Sequence, residues 1–167
     1  MGYINEHILN TNLNIPANEL TKNIDDTIRS KLKQQLEGLC FEDGYIMKDS
    51  VKIINRTMGR VVINDNMSKV QYRIKYKADI ISPSEGDIIE SYISNINKLG
   101  VILYIKTSDG DTSENSPIII MIPKEYLKES TYNIDDLNIG QRMNIEVVGC
   151  RIKYQSDKIQ VIAKVSE

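Results

Sequence analysis

Lys69-Val70-Gln71-Tyr72-Arg73-Ile74-Lys75-Tyr76-Lys77-Ala78 alternates without interruption, and Ser82-Pro83-Ser84-Glu85-Gly86-Asp87 then breaks the alternation. Side chains along a strand point to opposite faces in turn. Val70, Tyr72, Ile74, Tyr76 and Ala78 therefore share one face, and Lys69, Gln71, Arg73, Lys75 and Lys77 share the other. This period predicts a half-buried strand over residues 69–81. The break combines Pro, Gly and small polar residues, so a domain boundary is placed there. Residues 1–82 form the first predicted domain and 83–167 the second. A link this short leaves the halves little independent movement.

Upstream of the long strand, Asn64-Asp65-Asn66 is turn chemistry tolerant of positive φ. Residues 59–63, 51–54 and 44–47 read as further strands. Leu20, Ile24, Ile28, Leu32 and Leu36 recur every fourth residue, which predicts a helix with one buried face. Asn18 is the expected N-cap and Gly38 the expected C′ residue. Asp25 and Asp26 near the start and Lys31 and Lys33 near the end suit the helix dipole; the aspartates are read as a solvated face, not as an acid–base pair. Residues 3–15 alternate loosely, as a first strand would. The first domain is thus α+β, one helix packed on an antiparallel sheet in the order β-α-β-β-β.

Downstream, residues 87–97 alternate, Lys98-Leu99-Gly100 turns the chain, and 101–106 return. A polar loop over 107–117 holds Asp109-Gly110-Asp111, which lacks the rest of a calcium-loop pattern and is read as a turn. Residues 118–122 form an apolar strand, and Pro123 opens a helical turn through Leu127. Asp135-Asp136 is read as a loop or cap pair. Residues 142–149 and 158–164 are the last strands. Five strands with a short helical element between the third and fourth make the second domain an all-β OB-fold barrel.

Composition narrows the function. The 167 residues carry 21 Lys and Arg against 23 Asp and Glu, a formal net charge of -2. A free nucleic-acid binder depends on a basic excess to neutralise phosphates, so the balance disfavours strong autonomous binding while leaving a local basic face open. Two cysteines, Cys40 and Cys150, and one histidine, His7, fall short of a zinc site and are read as ordinary residues, the cysteines as small buried ones in a reducing compartment. No apolar run approaches the roughly 20 residues that span a bilayer. The N-terminus lacks a signal-peptide pattern, and Met1-Gly2 lacks the hydroxyl residue of a myristoylation site because Glu6 stands there. The chain is expected to be soluble and intracellular. Neither a phosphate loop, a dinucleotide fingerprint nor a Ser–His–acid arrangement is present, so no catalytic residue, cofactor or metal is expected.

Leu36-Glu37-Gly38-Leu39-Cys40, Gly44-Tyr45-Ile46, Tyr72-Arg73-Ile74-Lys75-Tyr76-Lys77-Ala78, Pro83, Gly86-Asp87-Ile88-Ile89 and Ile145-Glu146-Val147-Val148-Gly149-Cys150 occur in one order along nearly the whole chain. Together they resemble the stalk subunit of multisubunit DNA-dependent RNA polymerases, the seventh-subunit family of RNA polymerase II and its archaeal counterpart. The lysine-rich strand followed by Pro and Gly-Asp-Ile-Ile is the most specific piece. The chain stops at Ser166-Glu167, where family members often continue with an acidic segment and Tyr-Leu-Gly. Gly100 is followed by Val101-Ile102, where many OB domains carry an aromatic. Divergence and composition suit a large-DNA-virus homologue as much as a cellular subunit.

The resemblance implies a non-catalytic subunit that docks on the polymerase core near the clamp and meets nascent RNA. The first half becomes the tip domain, with Asn14, Ile15, Pro16, Ala17, Met58, Gly59 and Arg60 at the docking end. In the OB domain the expected RNA contacts are Tyr92, Lys98, Tyr104, Lys106, Arg151, Lys153 and Tyr154, cations along a backbone path and rings for stacking. The implied partners are core polymerase subunits, weakly held nascent RNA and, where one exists, a companion stalk subunit; no membrane is implied. The implied location is with the polymerase: the nucleus for a cellular eukaryotic source, a cytoplasmic virus factory or virion for a viral one. The competing reading is a free-standing OB-fold RNA-binding protein in translation or RNA processing.

Overall fold

A computed structural model describes residues 2–107, 110–130 and 133–166. The sequence readings that fall on Met1, Asp109 and Glu167 lie outside the described residues. The chain divides into two compact units. One comprises Asn5–Gly38 and Ile46–Ile80; the other comprises Ile81 onward together with Leu39–Tyr45 and the residues up to Ile4.

In the first unit, β1 (Ile4–Pro16) lies beside the long β6 (Met67–Ile81), and α1 (Ile24–Leu36) follows β1 in sequence. The short strands β4 (Lys52–Arg56) and β5 (Arg60–Asn64) both pair antiparallel with β6. The alternation of β6 is realised: Tyr72, Ile74, Tyr76 and Ala78 are buried, whereas Arg73 and Lys75 are exposed. Asp65 and Asn66 take φ of 49° and 63°, and so make the tight turn from β5 into β6.

The helix is shorter than its sequence pattern. It begins at Ile24, so Leu20 lies outside it and is 42% exposed. Asn18 sits in a separate 3-10 turn, Ala17–Glu19, and does not cap α1. The N-cap is Asn23, whose side chain makes no capping bond to the backbone. Every-fourth spacing counts Leu20 as helical, but Thr21 and Asn23, both weak helix formers, intervene and the stretch 21–23 offers no apolar anchor. Ile28, Leu32 and Leu36 form the buried stripe. Gly38 has φ of 78° just past the C-cap, the left-handed conformation that ends a helix most cheaply in glycine.

In the second unit five strands close into a barrel: β7 (Ile88–Asn97), β8 (Gly100–Tyr104), β9 (Ile118–Pro123), β10 (Arg142–Arg151) and β11 (Ile159–Val165). The order around the barrel is β10-β11-β9-β8-β7, closed by β10 against β7; only β11 and β9 run parallel. This arrangement fits the OB-fold. Every second residue of β11 is buried, from Ile159 to Val165, and β9 shows the same alternation through Ile118, Ile120 and Ile122. Each Ile or Val among them, fully withdrawn from water, contributes about 1.5–3 kcal/mol. Register shifts between Ile93 and Asn95 in β7 and between Val147 and Gly149 in β10 supply the bends that closure needs. The short helix α2 (Lys124–Lys128) packs on β8, β9 and β11, with Leu127 buried.

One strand absent from the sequence reading, β2 (Cys40–Phe41), joins the expected strand β3 (Gly44–Ile46) in a hairpin. Cys40 donates its N–H to Ser156 O at 2.8 Å and accepts from Gln155 N–H at 2.7 Å. Cys40 is buried as expected, but Cys150 is exposed, near the end of β10, where its thiol donates to Pro83 O at 3.2 Å.

Candidate nucleic-acid interface on the barrel

The strand register brings together the outer face of β10, β7 and β8. Tyr92 on β7 lies opposite Tyr104 on β8 and opposite Arg142 on β10. The two tyrosine rings stand 6.0 Å apart and are tilted by 37°. Lys106 Nζ lies 4.4 Å from the centre of the Tyr92 ring, a cation–π contact that fixes an ammonium at the edge of the aromatic pair. Tyr92 donates its hydroxyl hydrogen to Glu90 Oε1 at 3.2 Å, and Glu90 also pairs with Arg142 at 2.7 Å. Tyr3, Glu90, Tyr92, Lys106 and Asn144 line a shallow depression of about 380 Å³. Burial there pushes the Tyr3 phenol above its usual range, with the Glu90 carboxylate adding to the effect.

Of the seven expected RNA contacts, the structure places Tyr92, Tyr104 and Lys106 in one cluster. Lys98 stands at the β7–β8 turn. Arg151, Lys153 and Tyr154 lie at the opposite end of the barrel, because β10 runs antiparallel to β7 and its C-terminal end passes Ile88. Tyr154 packs edge-on against Phe41 at 5.5 Å and remains 64% exposed. Arg142 escaped the sequence reading: nothing local marks it, and only the β10–β7 register sets it across from Tyr92.

The seven expected docking residues all fall in the helix-and-sheet unit. Ile15 is fully buried, so its side chain serves the interior and not an outside partner. Asn14, Ala17, Gly59 and Arg60 are exposed, Pro16 is half-buried, and Met58 is 88% exposed. The close approach that Gly59 permits is made within the chain: a Cβ there would lie 2.5 Å from Val70 Cγ1 and 3.0 Å from the Tyr72 ring. Arg56 crosses the same ring at 5.5 Å and donates to Asp25 at 2.6 Å, which lowers the Asp25 carboxyl. On the polar face of β6, Arg73 and Lys75 line a groove with Asn10, Asn12, Asn55 and Thr57.

Among the described residues no group of three or more His, Cys, Asp or Glu side chains could hold a metal ion, and no helix is long and apolar enough to cross a membrane.

No protein-family model matches the chain. Its sequence is similar to RNA polymerase II subunit 7 of Arabidopsis thaliana, 24% identical over 90% of this chain and 76% of that protein. It is 28% identical to RNA polymerase II subunit RPB7 of Glycine max, with the same coverage. A protein of Acanthamoeba polyphaga mimivirus, described as a DNA-directed RNA polymerase subunit, is 22% identical over 93% of this chain and 78% of its own length. Among solved structures, an uncharacterised protein of Methanocaldococcus jannaschii matches with a TM-score of 0.36 at 12% identity, covering 52% of this chain and 96% of that one.

Proposed function

From the premise that this chain is a relative of the seventh subunit of RNA polymerase II, we propose that it is a non-catalytic stalk subunit of a DNA-dependent RNA polymerase. The observation that carries the proposal is the similarity itself, which runs through about nine-tenths of the chain in both plant proteins. In this reading the helix-and-sheet unit is the tip that docks on the core near the clamp, through the exposed Asn14, Ala17, Met58 and Arg60. The barrel meets nascent RNA. Tyr92 and Tyr104 offer π-faces to bases, and Lys106 and Arg142 offer cations to the backbone, a sequence-tolerant combination. Glu90 beside them and the net charge of -2 keep this contact weak, as suits a subunit whose partners hold it near the transcript. The protein resides where its polymerase does, in a nucleus or with a virus.

Tagged purification from the native source in moderate salt, followed by mass spectrometry, tests this directly. Stoichiometric recovery of the large polymerase subunits is expected. Recovery of ribosomal or RNA-processing factors without polymerase would overturn the reading in favour of a free-standing RNA-binding protein.

A further inference from the structure

We propose that the cleft beside α2 is a phosphate-binding subsite for the same single-stranded RNA whose bases stack on Tyr92 and Tyr104; the inference rests on the RNA-contacting role proposed above. The cleft, about 550 Å³, is lined by Lys98, Lys124 and Lys128 over an apolar floor that includes Ile96 and Leu127, with Asp135 as the single acid. Among the described residues none of the three lysines forms an ion pair. All three are exposed.

Their placement is built, not incidental. Asn97 Oδ1 accepts the N–H groups of Leu99 and Gly100 at 2.8 and 3.2 Å, which locks the turn that carries Lys98. Leu99 O accepts the N–H of Lys124 at 3.0 Å, which ties that turn to the first residue of α2. Gly100 makes the approach possible: a Cβ there would lie 2.0 Å from Ile122 O. Lys124 and Lys128 are four residues apart on the helix and so share a face, where like charges repel unless an anion sits between them. Three cations against one carboxylate, in a chain that is acidic overall, concentrate positive potential in a concave place.

Continuity with the ring pair selects the ligand. Tyr92 and Lys98 belong to one strand and its turn, six residues apart, about 20 Å at the rise of a β-strand. That span matches a short stretch of single strand, since OB-folds hold about 4–16 nucleotides. Lysines act as point charges without a fixed fork, which suits a backbone that passes in variable conformations.

The test is binding of the full chain to a short mixed-sequence single-stranded RNA across a salt series. For Lys124→Ala/Lys128→Ala, two lost phosphate contacts should reduce the slope of log K against log salt by about 1.4, with the affinity loss largest at low salt. Lys124→Arg/Lys128→Arg should bind as the wild type does, and Tyr92→Ala should bind more weakly at every salt with the slope kept. If the alanine pair keeps wild-type affinity and slope while Tyr92→Ala weakens binding, the cleft is idle and the inference falls while the RNA-contacting role survives. If the wild type binds no RNA at any salt, both fall. If the cleft lysines are needed for binding polyglutamate and not RNA, an acidic peptide replaces RNA as its ligand and the inference is likewise overturned.

Discussion

The barrel and the helix-and-sheet unit solve the problem of exposed strands differently. Closure leaves the barrel without an edge, because β10 pairs with β7 and completes the ring. Its inward residues from five strands are almost all fully buried. The sheet around β6 leaves its apolar face unfinished. Val61 pairs with Val70 and Ile63 with Ser68, so the face that buries Tyr72 and Ile74 continues into the β5–β6 hairpin. There Val61 and Ile63 are 67% and 75% exposed. Among the described residues of the barrel unit, the most exposed large apolar side chains, Leu99 and Ile139, lie off its closed ring, whereas those of the hairpin extend a core-facing strand face that folding alone does not cover. Such surface is where association with another protein has most to gain.

The sharpest way to break the barrel is Gly100→Ala. The residue has φ of 149°, and an added Cβ would meet Ile122 O at 2.0 Å. A loss of about 4 kcal/mol or more is expected in urea unfolding, or failure to fold. Next comes a paired measurement. Ile120→Ala, which empties a fully buried barrel position, should cost about 2–5 kcal/mol. Ile63→Thr in the hairpin should change stability by less than about 0.5 kcal/mol. Equal costs would erase the contrast between the two units.

Two smaller effects assign opposite pH sensitivities to the units. In the barrel unit, burial pushes the Cys40 thiol up to about 11, with Asp157 adding, and burial raises Tyr45 as well. A raised folded value means stability is fully present below the unfolded thiol value of about 8.5 and is lost as pH climbs towards about 11. Cys40→Ala should flatten that alkaline decline in melts recorded against pH, and the same thiol should resist maleimide until the chain unfolds. In the other unit, the hydrogen bond from Arg56 lowers Asp25. Its contribution is present above the unfolded aspartate value of about 3.9 and disappears as pH falls through the lower folded value. Arg56→Ala should flatten that acid limb, the smallest effect of the series because the Asp25 side chain is 66% exposed and solvent screens its charge. An unchanged acid limb would show the bridge to be energetically silent.

How far the sequence could be read follows from the range of the forces involved. Strand β6 was legible because period-two alternation is local and long. The positions of β7 to β11 and α2 were legible for the same reason, helped by Pro123 and Gly100. The helix start was misjudged because Leu20 fits the spacing while the 3-10 turn at Ala17–Glu19 leaves no mark in apolar periodicity. The two-residue strand at Cys40–Phe41 is too short to show a period; it pairs with β3 and is held besides by Gln155 and Ser156, more than a hundred residues away. Site residues divide along the same line. Tyr92, Tyr104 and Lys106 could be named as candidate types, but their grouping, and the addition of Arg142, depend on strand register. Arg151, Lys153 and Tyr154 looked equivalent to them in sequence and lie at another end of the barrel.

The position of β11 also bears on how the chain acquires its structure. It is the last of the five staves to leave the ribosome, yet it sits between β9 and β10, and its parallel pairing with β9 joins Ile159 to Ile118 across some forty residues. Until it arrives, β9 and β10 each present an open edge and the ring stays unsealed. Barrel assembly therefore waits for the fifth barrel strand and is governed by slow non-local closure, so the nascent barrel is most exposed to misassembly just before β11 emerges.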